Sequence, residues 1–424
     1  MAGRRVMIDL APLRRSRDFR LIVGGQLLST LGTQLTAVAV PYQVFRITHS
    51  SLDVGLVSLA QLVPLLACSL YGGSVIDAVD RRRLLVVVGL AMAGSSAGLA
   101  VNADLGPALW PLFVAPAVTA GLAGFASPAR SAMVPRLVGL ADVPTAAAMF
   151  QALYQFGSVV GPAAGGLLLA GAGVHFVYWA DVAGYCVAVA AAWAIAPQPP
   201  DLHAPRPGLR SVVEGFSYVR SRQEILGAYV IDVDAMVFGM PRALFPALAL
   251  SVFKGGATTL GFLYSSVGAG ALVGALTTGW VSRVRRQGLA VIVAVLVWGA
   301  AITTFGLVPY LPLALVLLAV AGWADVISAV FRNTIIQLCV PDRLRGRLQG
   351  FQIGVVQGGP RLGDLEAGGV ASAFGIEASI VSGGVLCILG ALVLARALPR
   401  FRTVALDPTA AEGSRADPGP GWGP

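Results

Sequence analysis

Charge is what this sequence has least of. Asp, Glu, Lys and Arg together make up 12% of its 424 residues, about half the share of an ordinary soluble domain. A water-soluble fold of this length cannot cover its surface with so few polar side chains. Lysine is nearly missing. The lone one, Lys254, follows Phe253 rather than a glycine, which excludes the Gly-Lys phosphate loop of nucleotide-driven machines. Cys68, Cys186, Cys339 and Cys387 sit in apolar runs without CxxC spacing, so they read as small packing residues rather than a redox or zinc motif. His49, His175 and His203 lie far apart in loops, which excludes a histidine metal centre. HExxH, GxSxG and a spaced serine–lysine pair are also missing, so no common hydrolase constellation competes. The sequence predicts no cofactor, no metal and no enzymatic chemistry.

What is present is apolar sequence in long runs. Hydrophobic residues reach 56%, arranged in stretches of roughly 20, the length that crosses a 30 Å hydrocarbon core at 1.5 Å per residue. The chain predicts spans over 19–46, 53–76, 84–102, 108–134, 143–170 and 175–196, then 225–251, 257–281, 288–308, 311–338, 346–373 and 376–397. That gives an all-α membrane protein of twelve transmembrane helices, with the lipid bilayer as its partner. Residues 1–18 form an N-terminal arm, 19–196 a first six-helix bundle, 197–224 a linker, 225–400 a second bundle and 401–424 a disordered tail. The linker contains APQPPDLHAPRPG, too rich in proline to continue a helix. Val212, Val213, Phe216 and Val219 then predict a short helix lying on the membrane surface. Arg-rich residues followed by an apolar run and Ala37–Ala39 imitate a signal peptide. Gln26, Ser29, Thr33 and Gln34 within that run suit a cavity-lining helix better, so it is expected to be retained.

Arginine carries nearly all the excess of +9. A basic balance can mark nucleic-acid binding, but here the arginines cluster in alternate loops: 4–20, 81–83, 136, 206–222, 283–286, 343–347 and 400–402. That placement is a topology signal, and it excludes nucleic acid as the partner. The positive-inside rule puts both termini and the linker in the cytoplasm, at a plasma membrane and by expectation a bacterial inner membrane. The two bundles also repeat one another. Gly279 matches Gly73 at an offset of 206 residues, as do Gly261 with Gly55, Phe331 with Phe125 and Pro341 with Pro135. Beyond a shortened loop the offset becomes 198, where Gly359-Pro360 matches Gly161-Pro162 and Gln349 matches Gln151. Two such halves place a substrate pathway between them near the midplane, the architecture of secondary transporters.

The loop between spans 2 and 3 reads Gly73-SVI-Asp77-AV-Asp80-Arg81-Arg82-Arg83. Its spacing resembles the loop signature of the major facilitator superfamily. The resemblance implies that Asp77 contacts the start of span 11 and holds the cytoplasmic side closed. A carboxylate at a helix N-terminus gains about 0.3–1 kcal/mol, which makes such a gate physically reasonable. Ala78 stands where many members carry arginine, so one ion pair of the usual loop is missing. The alternative is that these charges only enforce topology. In span 5, Gly157-SVV-Gly161-Pro162-AA-Gly165-Gly166 resembles the antiporter motif of the superfamily's exporters. On physics alone, its small residues permit close helix approach and Pro162 a kink. With PARSAMVP and QLLSTLGTQL, it is similar to the branch of bacterial efflux proteins that includes siderophore exporters. The resemblance covers residues 17–400 and implies a monomeric, proton-coupled exporter of hydrophobic or amphipathic small molecules, such as a drug, antibiotic or siderophore. A nutrient symporter is the second reading, and a receptor or assembly partner that moves nothing is the third.

Charges inside spans are functional candidates because each costs about 2.5–3.5 kcal/mol on insertion scales. Asp232 and Asp234 fall roughly 10–14 Å into span 7 by helical rise, and Asp325 reaches a comparable depth in span 10. The family resemblance sets spans 7 and 10 beside the cavity, so the three acids are expected to face one pathway. Desolvation penalises the charged form of a carboxylate, which suits such an acid to carry a proton. Structural pairing, for instance with Arg242, is the alternative. In span 11, Arg361 and Asp364 share a helix face and are expected to pair, leaving Glu366 as a further proton candidate. Arg130 and Arg332 lie near span ends, where snorkelling explains them. Gln26, Gln34, Tyr42 and Gln155 are candidate cavity-lining residues.

Overall fold

The computed structural model describes residues 11–199, 216–340 and 342–405. Within them, the side chains of 70–77, 282, 342–351 and 353 are not described.

Among the described residues, twelve long helical elements form, because backbone polar groups in hydrocarbon must be paired within their own segment. They are α1 (Arg17–Thr48), α2 (Ser51–Ala78), α3 (Arg81–Leu105), α4 (Pro111–Val138), α5 (Val143–Gly171), α6 (Val174–Trp193), and α7, whose first piece is Gln223–Phe238. The remainder are α8 (Gly256–Leu276), α9 (Gln287–Leu307), α10 (Leu311–Cys339), α11 (Asp342–Phe374) and α12 (Ile376–Ala397). Polar residues set the starts: the side chains of Ser16 and Ser50 accept from Phe19 N and Asp53 N, satisfying amides that open a helix. Aromatic residues close several ends in exposed positions, among them Trp110, Trp193 and Tyr310, as expected of the membrane interface.

The packing obeys the predicted repeat. In the first half α2 packs on α4, α3 on α4 and α6, and α1 on α5. In the second half α8 packs on α10, α9 on α10 and α12, and α7 on α11. Between the halves, α2 packs on α11 and α8 on α5. Each contact maps onto its partner when six is added to the helix number, counting α11 plus six as α5. We call the side on which α1 starts and α12 ends the terminal face.

Three expectations change. Span 7 is not one helix: it breaks at Gly239–Pro241 and resumes as a 3-10 turn (Arg242–Leu244), a short α piece (Phe245–Ala247) and a π turn (Leu248–Val252). Pro241 cannot supply an amide to the ladder, and the indole of Trp298 donates to the freed carbonyl of Gly239 at 2.7 Å. The first residues assigned to the tail are helical: the short helix Pro399–Thr403 tucks a fully buried Phe401 into space left by Gly227 and Gly288, and the rest of that stretch, 406–424, lies outside the described residues. The surface helix falls partly on 200–215, outside the described residues. Its described end buries Val219 against Ile225, Tyr229 and Val340 rather than laying it on lipid.

Candidate functional site

The two bundles enclose a cavity of about 360 Å³. The first half contributes Thr33, Thr36, Asp181 and Tyr185; the second contributes Arg242, Tyr264, Arg361 and Asp364. Its remaining wall is apolar, with Val40, Pro41, Val54, Val57 and Leu99 among the residues that form it. Two further cavities lie nearer the terminal face. One, of about 650 Å³, carries Gln26, Gln34, Arg130 and Tyr154. The other, of about 310 Å³, carries Asp232, Arg242, Asp325 and Arg332.

Asp181 is the main residue that the sequence reading passed over. Only 1% exposed, it accepts from Thr36 Oγ1 at 2.9 Å and Ser96 Oγ at 2.7 Å, both on Oδ2. Its Oδ1 has no hydrogen-bond partner. Glycine at position 32 makes the room, since a Cβ there would lie 2.5 Å from Oδ1. Beside it, the hydroxyls of Tyr185 and Thr33 meet at 3.0 Å. A lone acid in HFVYWADVAGYCV was the available signal.

In the second half, Arg332 donates to Asp232 Oδ1 at 2.7 Å and to Ser328 Oγ at 2.9 Å. Asp325 Oδ1 lies 3.9 Å from the same guanidinium. Positions 325, 328 and 332 recur at helical spacing, so one face of α10 presents all three. This corrects two expectations. Arg332 is buried rather than snorkelling, and it supplies the structural pairing of the acids for which Arg242 was the named candidate. Asp234 does not join them, because α7 turns it toward Gly390 of α12, where its Oδ2 is buried without a partner.

Arg361 and Asp364 do not form the expected pair. Asp364 accepts from Ser58 Oγ of α2 at 2.7 Å and from the amide of Ala243 at 3.1 Å. That amide is available because α7 is broken there. Arg361 turns back to the carbonyl of Gln357 at 2.6 Å. Glu366 is half-buried and lines none of the three cavities just described.

Among the proposed cavity-lining residues, Gln26 and Gln34 line the larger terminal-side cavity. Tyr42 turns instead toward Arg46, whose guanidinium sits 5.7 Å from the ring centroid. Gln155 ties α5 to α8 through the carbonyl of Gly268 at 3.4 Å. The span 5 motif has two working faces. Gly157, Gly161 and Gly165 meet Thr30, Gln34 and Leu35 of α1, while Gly166 meets Ala257 and Gly261 of α8. The carbonyl of Pro162 also meets Gly261.

In the span 2–3 loop, Asp80 caps α3 by accepting from Arg82 N at 2.8 Å and Arg83 N at 3.2 Å. Arg81 N donates to the carbonyl of Gln198 at 3.1 Å, and the Arg82 guanidinium to that of Trp193. These bonds fasten the exit of α6. Gly73 lies within α2, but the side chain of Asp77 falls outside what is described, so the gating contact does too.

A family model described as transmembrane secretion effector matches residues 7–415. The enterobactin exporter EntS of Escherichia coli O157:H7 is 29% identical over 411 residues, spanning 96% of this chain and 99% of that protein. EntS of Shigella boydii serotype 18 is 29% identical over 410 residues, spanning 96% and 98%. Among solved structures, a POT family transporter in complex with 5-aminolevulinic acid superposes with a TM-score of 0.74 at 10% identity, over 91% of this chain and 97% of that one. A D-xylose-proton symporter does so with a TM-score of 0.69 at 15% identity, over 92% and 99%. Both share the fold.

Proposed function

The chain belongs to the transmembrane secretion effector family of major facilitator transporters, and on that premise we propose that it exports an amphipathic small molecule in exchange for protons. The observation that carries this reading is the central cavity, built from both halves and bordered by the broken α7. Discontinuous helices at the interface of two repeats are how such folds present polar groups to a solute within the membrane. The relatives named as enterobactin exporters favour a siderophore-like aromatic cargo. The α1–α5–α8 glycine contacts support the antiporter reading of the span 5 motif.

Alternating access requires two faces that close in turn. At the opposite face the halves touch: a side chain at Gly368 would lie 2.5 Å from the carbonyl of Ser51, and one at Gly55 would meet that of Asp364. Along the same pair of helices toward the terminal face, the nearest neighbour recedes to 3.3 Å at Gly358 and 3.8 Å at Gly354. Likewise, Gln155 and Ser158 of α5 touch α8, whereas Val143, Ala147, Phe150 and Gln151 line a cavity. The proposed orientation sets the terminal face in the cytoplasm, where an exporter loads, with the protein working as a monomer in a bacterial inner membrane. Closure of that face would engage Asp77.

Asp232 and Asp325, gathered on Arg332, are the proposed coupling acids, with Asp181 added from the first half. Proteoliposomes with an acidic interior test this by uptake of a catecholate siderophore under a pH gradient. The wild type is expected to accumulate it. Asp232→Asn or Asp325→Asn is expected to abolish the response to the gradient while leaving downhill exchange. Gradient-driven uptake that survives both substitutions and Asp181→Asn would remove these acids from the coupling role.

A further inference from the structure

Several charges inside the spans are held by partners, whereas two half-buried cations that meet at the central cavity are largely left without them. Arg332 is engaged by Asp232 and Ser328, and Asp181 by Thr36 and Ser96. Among the described residues, the guanidinium of Arg242 makes no hydrogen bond or ion pair with any of them. Arg361 gives one bond, to its own helix at Gln357, and its Nε is buried without a partner. A guanidinium carries five N–H donors, so most of the donor capacity of both residues is unused.

Snorkelling does not account for them. By helical rise they stand about 15 Å and 20 Å from the opposite-face ends of α7 and α11, too deep for either headgroup layer. Nearby acids attract both cations without bonding to either: Asp364 acts on both, and Asp325 on Arg242. Of the two carboxylates that share the cavity, Asp181 belongs to the other half beneath its hydroxyl cradle, and Asp364 already accepts from Ser58 and Ala243 N. The two cations also repel one another, more weakly than Asp364 attracts Arg361. Arg242 follows the break in α7 directly and borders the Asp232–Asp325 cavity as well. Arg130 lines the vestibule on the terminal side, also without a hydrogen-bonded or ion-paired partner among the described residues.

We propose that Arg242 and Arg361 bind an oxyanion of the transported molecule, a carboxylate or a catecholate, while the apolar wall receives its aromatic or aliphatic body. The planar fork of arginine matches two oxygens on one anion, and an anion between two guanidiniums relieves their repulsion. This rests on the exporter reading and narrows its cargo to amphipathic organic acids.

The test uses the full-length protein in nanodiscs, titrated with 1-naphthoate and 2,3-dihydroxybenzoate and with their uncharged amides, and followed by tryptophan fluorescence and thermal unfolding. Each acid is expected to bind at least about tenfold tighter than its amide. Arg242→Gln and Arg361→Gln are each expected to erase that preference, and Arg242→Lys to restore part of it. Acids and amides that bind alike, no binding by either acid, or a preference retained in both Gln variants would overturn the proposal. The matched acid and amide on the wild type decide the matter even if a variant fails to fold. Substrate-driven proton movement with uncharged or cationic compounds alone would keep the exporter and sink the anion site. Arginine-dependent binding of acids without transport of any compound would do the reverse.

Discussion

At the scale of single residues, the interior is organised by how each buried charge is answered. Removing one partner of a buried ion pair costs about 3–5 kcal/mol, because the other charge is left uncompensated. Arg332→Gln strands Asp232 and is therefore expected to lower stability by about that amount. Adding Asp232→Asn to it should recover part of the loss, since only the more distant Asp325 is then left without the cation. Thermal unfolding in detergent of the wild type, both single variants and the double variant reads this, and additive losses would contradict the pairing. The sequence identified Asp232, Asp325, Asp364 and Arg361 through the expense of charge in lipid. It failed on direction: residues 232 and 234 are neighbours in depth yet about 200° apart around a helix axis. One therefore reaches Arg332 and the other Gly390. Asp181 was not legible in this way because it lies on α6, which is not among the helices that the family resemblance places around the cavity.

At the scale of elements, glycine decides where helices close on one another. A Cβ at Gly166 would lie 2.7 Å from the carbonyl of Ala257 and 2.8 Å from Cα of Gly261, both backbone atoms that cannot rotate away. Gly166→Val is expected to cost about 1–3 kcal/mol and to stop transport by forcing α5 from α8. Gly94→Ala, in open space on α3, should cost nothing. Equal behaviour of the two in unfolding and transport assays would refute the contact argument. The break in α7 makes a second prediction. Trp298→Phe deletes the donor to the Gly239 carbonyl and should destabilise the protein by about 1 kcal/mol, seen as a lower midpoint of thermal unfolding. Element ends were largely legible, because bilayer thickness fixes helix length more firmly than propensity does. The break was not, although Gly239-Met240-Pro241 was the place to look. A proline in an apolar run is compatible with either a kink or an interruption until its neighbours are known.

At the scale of the molecule, the offsets in the sequence become a pseudo-twofold arrangement. Gly55 of α2 meets Asp364 of α11, and Gly261 of α8 meets Gly166 of α5. The second pair is the first displaced by the two repeat offsets. Symmetry thus fixes the scaffold, and departures from it carry the chemistry: Asp364 occupies the place of the motif's last glycine and ties α2 to the broken α7. The repeat was legible because related backbones need glycine at the same close approaches. Which face is open was not, since it depends on a small difference between two packings of one chain. Spin labels at Leu66→Cys and Gly354→Cys, in a cysteine-free background, are expected to move closer when the terminal face closes on a bound solute. Labels at Thr48→Cys and Ser372→Cys should move apart. Distances unchanged by any solute or pH gradient would contradict alternating access.

The central claim, exchange of a solute for protons, is tested most directly in everted membrane vesicles acidified inside and carrying a pH-sensitive dye. Adding a catecholate siderophore, an aromatic acid or a lipophilic drug is expected to alkalinise the lumen only when the protein is present, and not with Asp232→Asn or Asp325→Asn. Solute uptake by correctly inserted protein with no accompanying proton movement would contradict the account.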